Sequence, residues 1–144
     1  MRKTKLIGTS IESVKNAEVK LGVTFPEELV QIWIISNGLE LPEGWQLFPV
    51  FDLTNPRKTS NDIVYENTKG RWPTMDNNLI SIAAGDTGNQ LVLQRVDNII
   101  NNTVLLWDHE NRETTPWDKE LKDILEIAKE RAANIFELQN KYNQ

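Results

Sequence analysis

Gly85-Asp86-Thr87-Gly88-Asn89 sets an acid and a hydroxyl between two glycines. Glycines let backbone N–H groups converge on a phosphate, and an acid beside a hydroxyl can hold a metal ion. The same residues can also simply turn the chain between two strands. The chain's one histidine, His109, stands between Asp108 and Glu110. An imidazole flanked by carboxylates invites a metal or general-base reading. A usual zinc site, however, needs a second His or a Cys, and the sequence has neither; it also lacks an EF-hand pattern. There is no Gly-x-Ser-x-Gly elbow and no Ser/Asp partner for His109 at a recognisable spacing. An enzyme or metal protein would have to work from Asp86, Asp108 and His109. The bland reading of 107–110 is a polar turn after a buried strand. No catalytic residue, metal or cofactor is expected.

The glycine stretch is neither Gly-x-x-x-x-Gly-Lys-Ser/Thr nor Gly-x-Gly-x-x-Gly. Both phosphate motifs also need a helix to follow, so that its first amides face the ligand. Here Leu91-Val92-Leu93 follows, which reads as strand, and Leu79–Ala84 before it reads as strand too. Strand, turn residues, strand is a hairpin. Asp86 could accept N–H bonds across the turn, and Gly88 could take a positive φ. Both the acid and the amide stay available to a partner, as loop residues often are.

These turns need a scaffold. Ser10 reads as the cap of a first helix carrying Ile11, Val14, Ala17 and Leu21 at helical spacing, stopped by Gly22. Phe25-Pro26-Glu27-Glu28 starts a second, with proline at its first position and two acids facing the positive helix end. That helix is apolar nearly all round and closes at Ser36-Asn37-Gly38. Trp45–Phe48 and Val50-Phe51 read as one or two strands interrupted by Pro49. Ser60 or Asn61 is expected to cap a short helix through Ile63, Val64 and Glu66, ending near Gly70. Thr103–Trp107 reads as a third strand of the hairpin group. Thr115-Pro116-Trp117-Asp118 carries the signs of a helix start. The last helix is read to about Asn140, with a stripe of Leu121, Ile124, Leu125, Ala128, Ala132, Ile135, Leu138 and Tyr142. Short strands with turn-length connections predict an antiparallel sheet packed against helices, an α+β fold in a single domain. Its core is expected over about residues 10–140, with 1–9 as a flexible lead.

The chain has 144 residues and no cysteine, with a formal charge of −5. Disulfides, thiolate zinc sites and cysteine nucleophiles are excluded, and a reducing cytoplasm fits. No apolar run approaches the ~18 residues of a membrane span, and no apolar core of a secretory signal follows the basic start. Residues 1–22 carry five Lys/Arg against two Glu; residues 23–144 carry eleven against nineteen Asp/Glu. Such an acidic body disfavours direct nucleic-acid binding and attracts a basic protein. Of five tryptophans, Trp33 and Trp107 read as core, and Trp117 as a staple of the last helix. Trp45 and Trp72 lie near loops beside Glu40, Glu43 and Arg71, where aromatics among charges suit a binding hot spot or fold over the core edge.

The order of these signals resembles one family. Ala17-Glu18-Val19-Lys20-Leu21-Gly22-Val23-Thr24-Phe25-Pro26-Glu27-Glu28-Leu29 is similar to its opening of an acid, Leu-Gly, an apolar-Pro step and a helix. Ser36-Asn37-Gly38 is similar to the Asn-Gly that closes that helix. Leu79–Leu91 resembles its strand, Gly/Asp-rich turn and strand, and Val104–Glu110 its next strand and Asp-His turn. This is the SUKH superfamily, which includes the yeast cell-wall-assembly regulator, and the resemblance covers about residues 10–130. The turn departs slightly, with Asp-Thr-Gly-Asn where many members have a more glycine-rich run. The resemblance implies an α+β fold without catalytic residues. In its bacterial branch it implies an immunity protein that neutralises a toxin encoded nearby, often a nuclease or deaminase. Fungal and viral members resemble regulatory interaction modules, the alternative reading. Richness in Asn, Ile and Lys hints at an AT-rich bacterial genome and so at immunity. Loop position and charge single out Glu40, Glu43, Trp45, Trp72, Asp86, Asp108 and Glu110 as partner-binding residues.

Overall fold

The structure, a computed structural model, describes residues 7–142. Ser10 Oγ accepts the Ser13 N–H at 3.2 Å and opens α1 (Ile11–Leu21), and Gly22 closes it at φ 68°. In α2 (Glu27–Ile35) Pro26 is the cap rather than the first helical residue, one position earlier than the proline rule suggests. After the 3₁₀ turn Pro42–Gly44, only Gln46–Leu47 forms a strand, β1. Phe48 still donates its N–H to Ile82 O at 2.9 Å, but beyond it the chain leaves the sheet: Val50 pairs with the Asn37 side chain instead, through N–H to Oδ1 at 2.8 Å and C=O to Nδ2 at 2.9 Å. α3 (Ile63–Glu66) is capped by Asp62, whose carboxylate accepts the Val64 N–H, not by Ser60 or Asn61. Then come β2 (Leu79–Ala84), β3 (Gln90–Val96), β4 (Ile99–Ile100), β5 (Leu105–Trp107), β6 (Thr114–Pro116) and α4 (Leu121–Tyr142).

All strand pairs are antiparallel, in the order β1-β2-β3-β5-β6, with β4 folded back onto the far end of β3. The α+β expectation is met. Thr115-Pro116 is an edge strand, not a helix start. An edge tolerates proline because the missing N–H faces away from the ladder. The last helix begins five residues later, where Asp123 reaches back to the Glu120 N–H at 2.8 Å and satisfies one of the free helix-start donors.

The pleat sorts the core. Leu91 and Leu93 face α1, α2 and α4, while Val92 faces Trp107, Leu79 and Met75 on the other side. A bulge between Ser81 and Ala83 turns both Ile82 and Ala83 towards the helices. Trp33 is fully buried there, donates its indole N–H to Phe48 O at 2.9 Å and meets Phe25 edge-on at 4.9 Å. On α4 the stripe is buried from Leu121 through Ala128. Beyond it Ala132 and Ile135 are half-buried and Leu138 is exposed; the Tyr142 side chain lies outside the described residues. Residues 7–9 are tied down: Thr9 donates its N–H to Trp33 O at 3.0 Å and its hydroxyl to Asp52 at 2.6 Å. Residues 1–6 lie outside the described part.

Candidate functional site

The opening stretch is a hairpin turn. Gly85 N–H donates to Asn89 O at 3.0 Å, and Gly88 takes φ 98°, a value a side chain rarely adopts. Because Gln90 pairs with Trp107, this turn lies beside the β5–β6 turn at residues 108–113. Because Gln46 pairs with Ala84, the loop before β1 reaches the same end of the sheet. Three separate loops therefore meet at one edge, and the sequence-predicted residues fall on them in two groups.

The first group lies on the helix-covered face. Glu40 and Glu43 are exposed, and Trp45 is half-buried against the core. Trp45 meets Trp117 edge-on at 6.1 Å and covers Gly85; a Cβ there would come within 3.0 Å of the indole. Trp117 thus packs on Trp45 and against the core cluster that includes Leu121 and Ile124 of α4. Asp86 is exposed, and its carboxylate lies against Gly44 instead of accepting turn amides. Arg131 of α4 donates to Glu40 O and holds this loop. Lys119 sits 5.3 Å over the Trp117 ring, so the face is acidic but not uniformly so.

The second group lies on the opposite face. Trp72 is half-buried and packs at a tilt against Trp107 at 5.7 Å and His109 at 5.1 Å. Asn89 Oδ1 accepts the His109 backbone N–H at 3.2 Å and contacts its ring Nδ1 at 2.7 Å, joining the two turns. Asp108 spends its carboxylate on the turn, accepting the Glu110 N–H at 2.8 Å. Glu110 is exposed. Among the described residues the ion pairs are Lys119–Asp118, Lys122–Glu120 and Lys129–Glu126, so Glu40, Glu43, Asp86 and Glu110 carry none. No group of three His, Asp or Glu able to hold a metal occurs among the described residues.

Between the first group and the 57–61 loop runs an open groove of about 620 Å³. Asp86, Glu66, Arg57 and Lys58 all line it. Burial, then the charge of Asp62, raises the Glu66 pKa above its ordinary value. Glu66, Arg57 and Lys58 escape sequence reading because they lie some 20 to 29 residues from Asp86 and join it only through the fold. His109 is visible as a motif, but its packing against Trp72 has no sequence signal.

No helix among the described residues is long and apolar enough to cross a membrane. Residues 8–127 match the SMI1 / KNR4 family (SUKH-1). No curated protein and no solved structure matches the chain.

Proposed function

The chain belongs to the SMI1 / KNR4 family (SUKH-1), and from that premise we propose that it is a cytoplasmic immunity protein that neutralises a cognate toxin encoded nearby. The toxin would be a nuclease or another protein that attacks nucleic acid, and the mechanism would be stoichiometric occlusion of its active site. The observation that carries this reading is the edge where three loops meet. Glu40, Glu43, Asp86 and Glu110 offer unpaired carboxylates there, and Trp45 and Trp72 flank them half-exposed. A basic catalytic cleft, built to hold phosphates, would be drawn to such an edge before contact. The two indoles would then hold the complex by burying apolar area. Asp108 would shape the turn that presents Glu110 rather than touch the toxin itself. Arg57 and Lys58, which line the same groove as Asp86, favour a partner whose inserted element carries both signs of charge.

The test is calorimetry, at low and high salt, between this protein and the C-terminal domain of a large secreted protein encoded beside it. A tight 1:1 complex that abolishes toxicity supports the reading. Absence of binding to any such neighbour overturns it in favour of a regulatory interaction module on the same fold.

A further inference from the structure

At the opposite end of β3 from the acidic loops, two guanidinium groups share one pocket. It measures about 470 Å³ and is lined by Arg71, Arg95, Asn67, Asn77, Leu21 and Leu79. Arg71 is half-buried and rigidly held. One terminal nitrogen donates to Leu79 O at 3.0 Å and Asn67 Oδ1 at 3.4 Å; the other donates to Asp76 O and, at 3.5 Å, Met75 O. All four acceptors are neutral, so none of its hydrogen bonds goes to a carboxylate, and the Asp76 charge offsets it only in part. Arg95 is brought alongside by its backbone N–H, which donates to Asn78 O at 2.7 Å. Its Nε donates to Asp97 O at 3.2 Å, and neither terminal nitrogen makes a hydrogen bond among the described residues. No carboxylate among them lies within ion-pair distance of either arginine. Burial and then the like charge of Arg95 pull the Arg71 pKa down, with the Asp76 charge opposing more weakly.

Two like charges held together without a contacting counter-ion cost free energy unless something negative joins them. In a chain with 21 Asp and Glu, this pocket is instead walled by Asn67 and Asn77. The free guanidinium fork of Arg95 matches the paired oxygens of a carboxylate or phosphate, and a primary amide can donate beside it. The volume suits a small molecule. A lone pocket on a chain of net charge −5 does not suit a polyanion, which needs a basic track.

We propose that the Arg71–Arg95 pocket is a binding site for the oxyanion group, phosphate or carboxylate, of a small molecule. Arg95 and Asn77 grip the oxygens, and Arg71 supplies a fixed positive charge beside them. The site is remote from the acidic loops, so this inference and the toxin reading stand or fall separately.

The experiment is a ¹⁵N–¹H titration of the full chain with sodium phosphate and, separately, sodium acetate, at constant ionic strength. The signals followed are the arginine Nε–H and asparagine side-chain amides. The expected result is saturable shifts at Arg71, Arg95 and Asn77, complete by about 50 mM, where a millimolar site is filled. Arg95→Gln should weaken this about tenfold, the loss of one charge-assisted pair. Arg95→Lys, which keeps the charge and loses the fork, should fall between. Tighter binding of phosphate identifies a phosphate ligand, and tighter binding of acetate a carboxylate. Shifts that stay linear in both titrations, or saturable shifts indifferent to both Arg95 variants, overturn the proposal.

Discussion

Replacing Asn67 by alanine should remove far more than one small side chain. Ser81 is 1% exposed on β2, on an edge that two-residue β1 does not cover. Its backbone groups find a partner in the Asn67 amide: Ser81 N–H donates to Oδ1 at 2.7 Å, and Nδ2 donates to Ser81 O at 2.8 Å. The side chain stands in for one residue of a missing strand. In Asn67→Ala both groups are orphaned. Each unsatisfied buried group costs about 1–3 kcal/mol. The other losses are small. Ile63 O still accepts the Asn67 N–H at 3.2 Å, and Arg71 keeps three of its four acceptors. Some relaxation at the sheet edge puts the expected loss near the lower half of the sum, about 2–4 kcal/mol, a large part of a typical total of about 5–15. In urea this should lower the unfolding midpoint by about 1–2 M. Hydrogen exchange should show the Ser81 amide losing protection while Leu91 changes less. Asn67→Asp tests the donor separately. Its carboxylate would face Ser81 O without a proton, so the variant is least stable at neutral pH. It recovers as pH falls and the raised carboxyl protonates to donate. A loss in Asn67→Ala below about 0.5 kcal/mol, with the Ser81 amide still protected, would refute the idea that this amide closes the edge.

Glu66→Gln should raise stability at pH 7. The folded state binds the Glu66 proton more tightly than the unfolded chain, so wild-type stability falls as pH rises through the ordinary carboxyl range up to the raised value. The gap between variant and wild type should close below about pH 4, and thermal melts across pH check both the sign and the window. Gly88→Ala should cost about 1–2 kcal/mol, because φ is 98° and the new methyl would approach His109 Cε1 at 3.1 Å. Thr87→Ala, exposed in the same turn, should cost almost nothing, and an equal loss in both would show that the glycine conformation is not the cause. Glu43→Lys with Asp86→Lys should slow association with a basic partner about tenfold at low salt, with the difference fading as salt rises and dissociation little changed. Unchanged stopped-flow rates would remove charge steering from the proposed mechanism.

What the sequence made legible was what local chemistry decides. Ser10, Gly22 and Gly88 act within a few residues of themselves, and each does in the fold what its residue type suggests. Thr115-Pro116 misleads for the same reason. Its local signs are those of a helix start, but pairing with Leu105 and Leu106 decides the matter, and an edge strand accepts the proline. Asn37 and Asn67 were illegible as strand substitutes, since an asparagine shows nothing of a partner 13 or 14 residues away. The candidate site follows the same division. That residues 40–45, 85–89 and 108–113 are loops is a local fact. That they adjoin is a consequence of register, Gln46 on Ala84 and Gln90 on Trp107. A slip of β5 by one residue against β3 would send Trp107 to the helix face and take His109 off Trp72. Any surface formed by these loops is therefore only as well defined as the register of β2, which places its turn. The Ile82 bulge and the Asn67–Ser81 pair lie on that strand. An Asn67 variant that stays folded should thus weaken partner binding from a residue that touches no partner. Binding unchanged in such a variant would show that the turn keeps its place without that support.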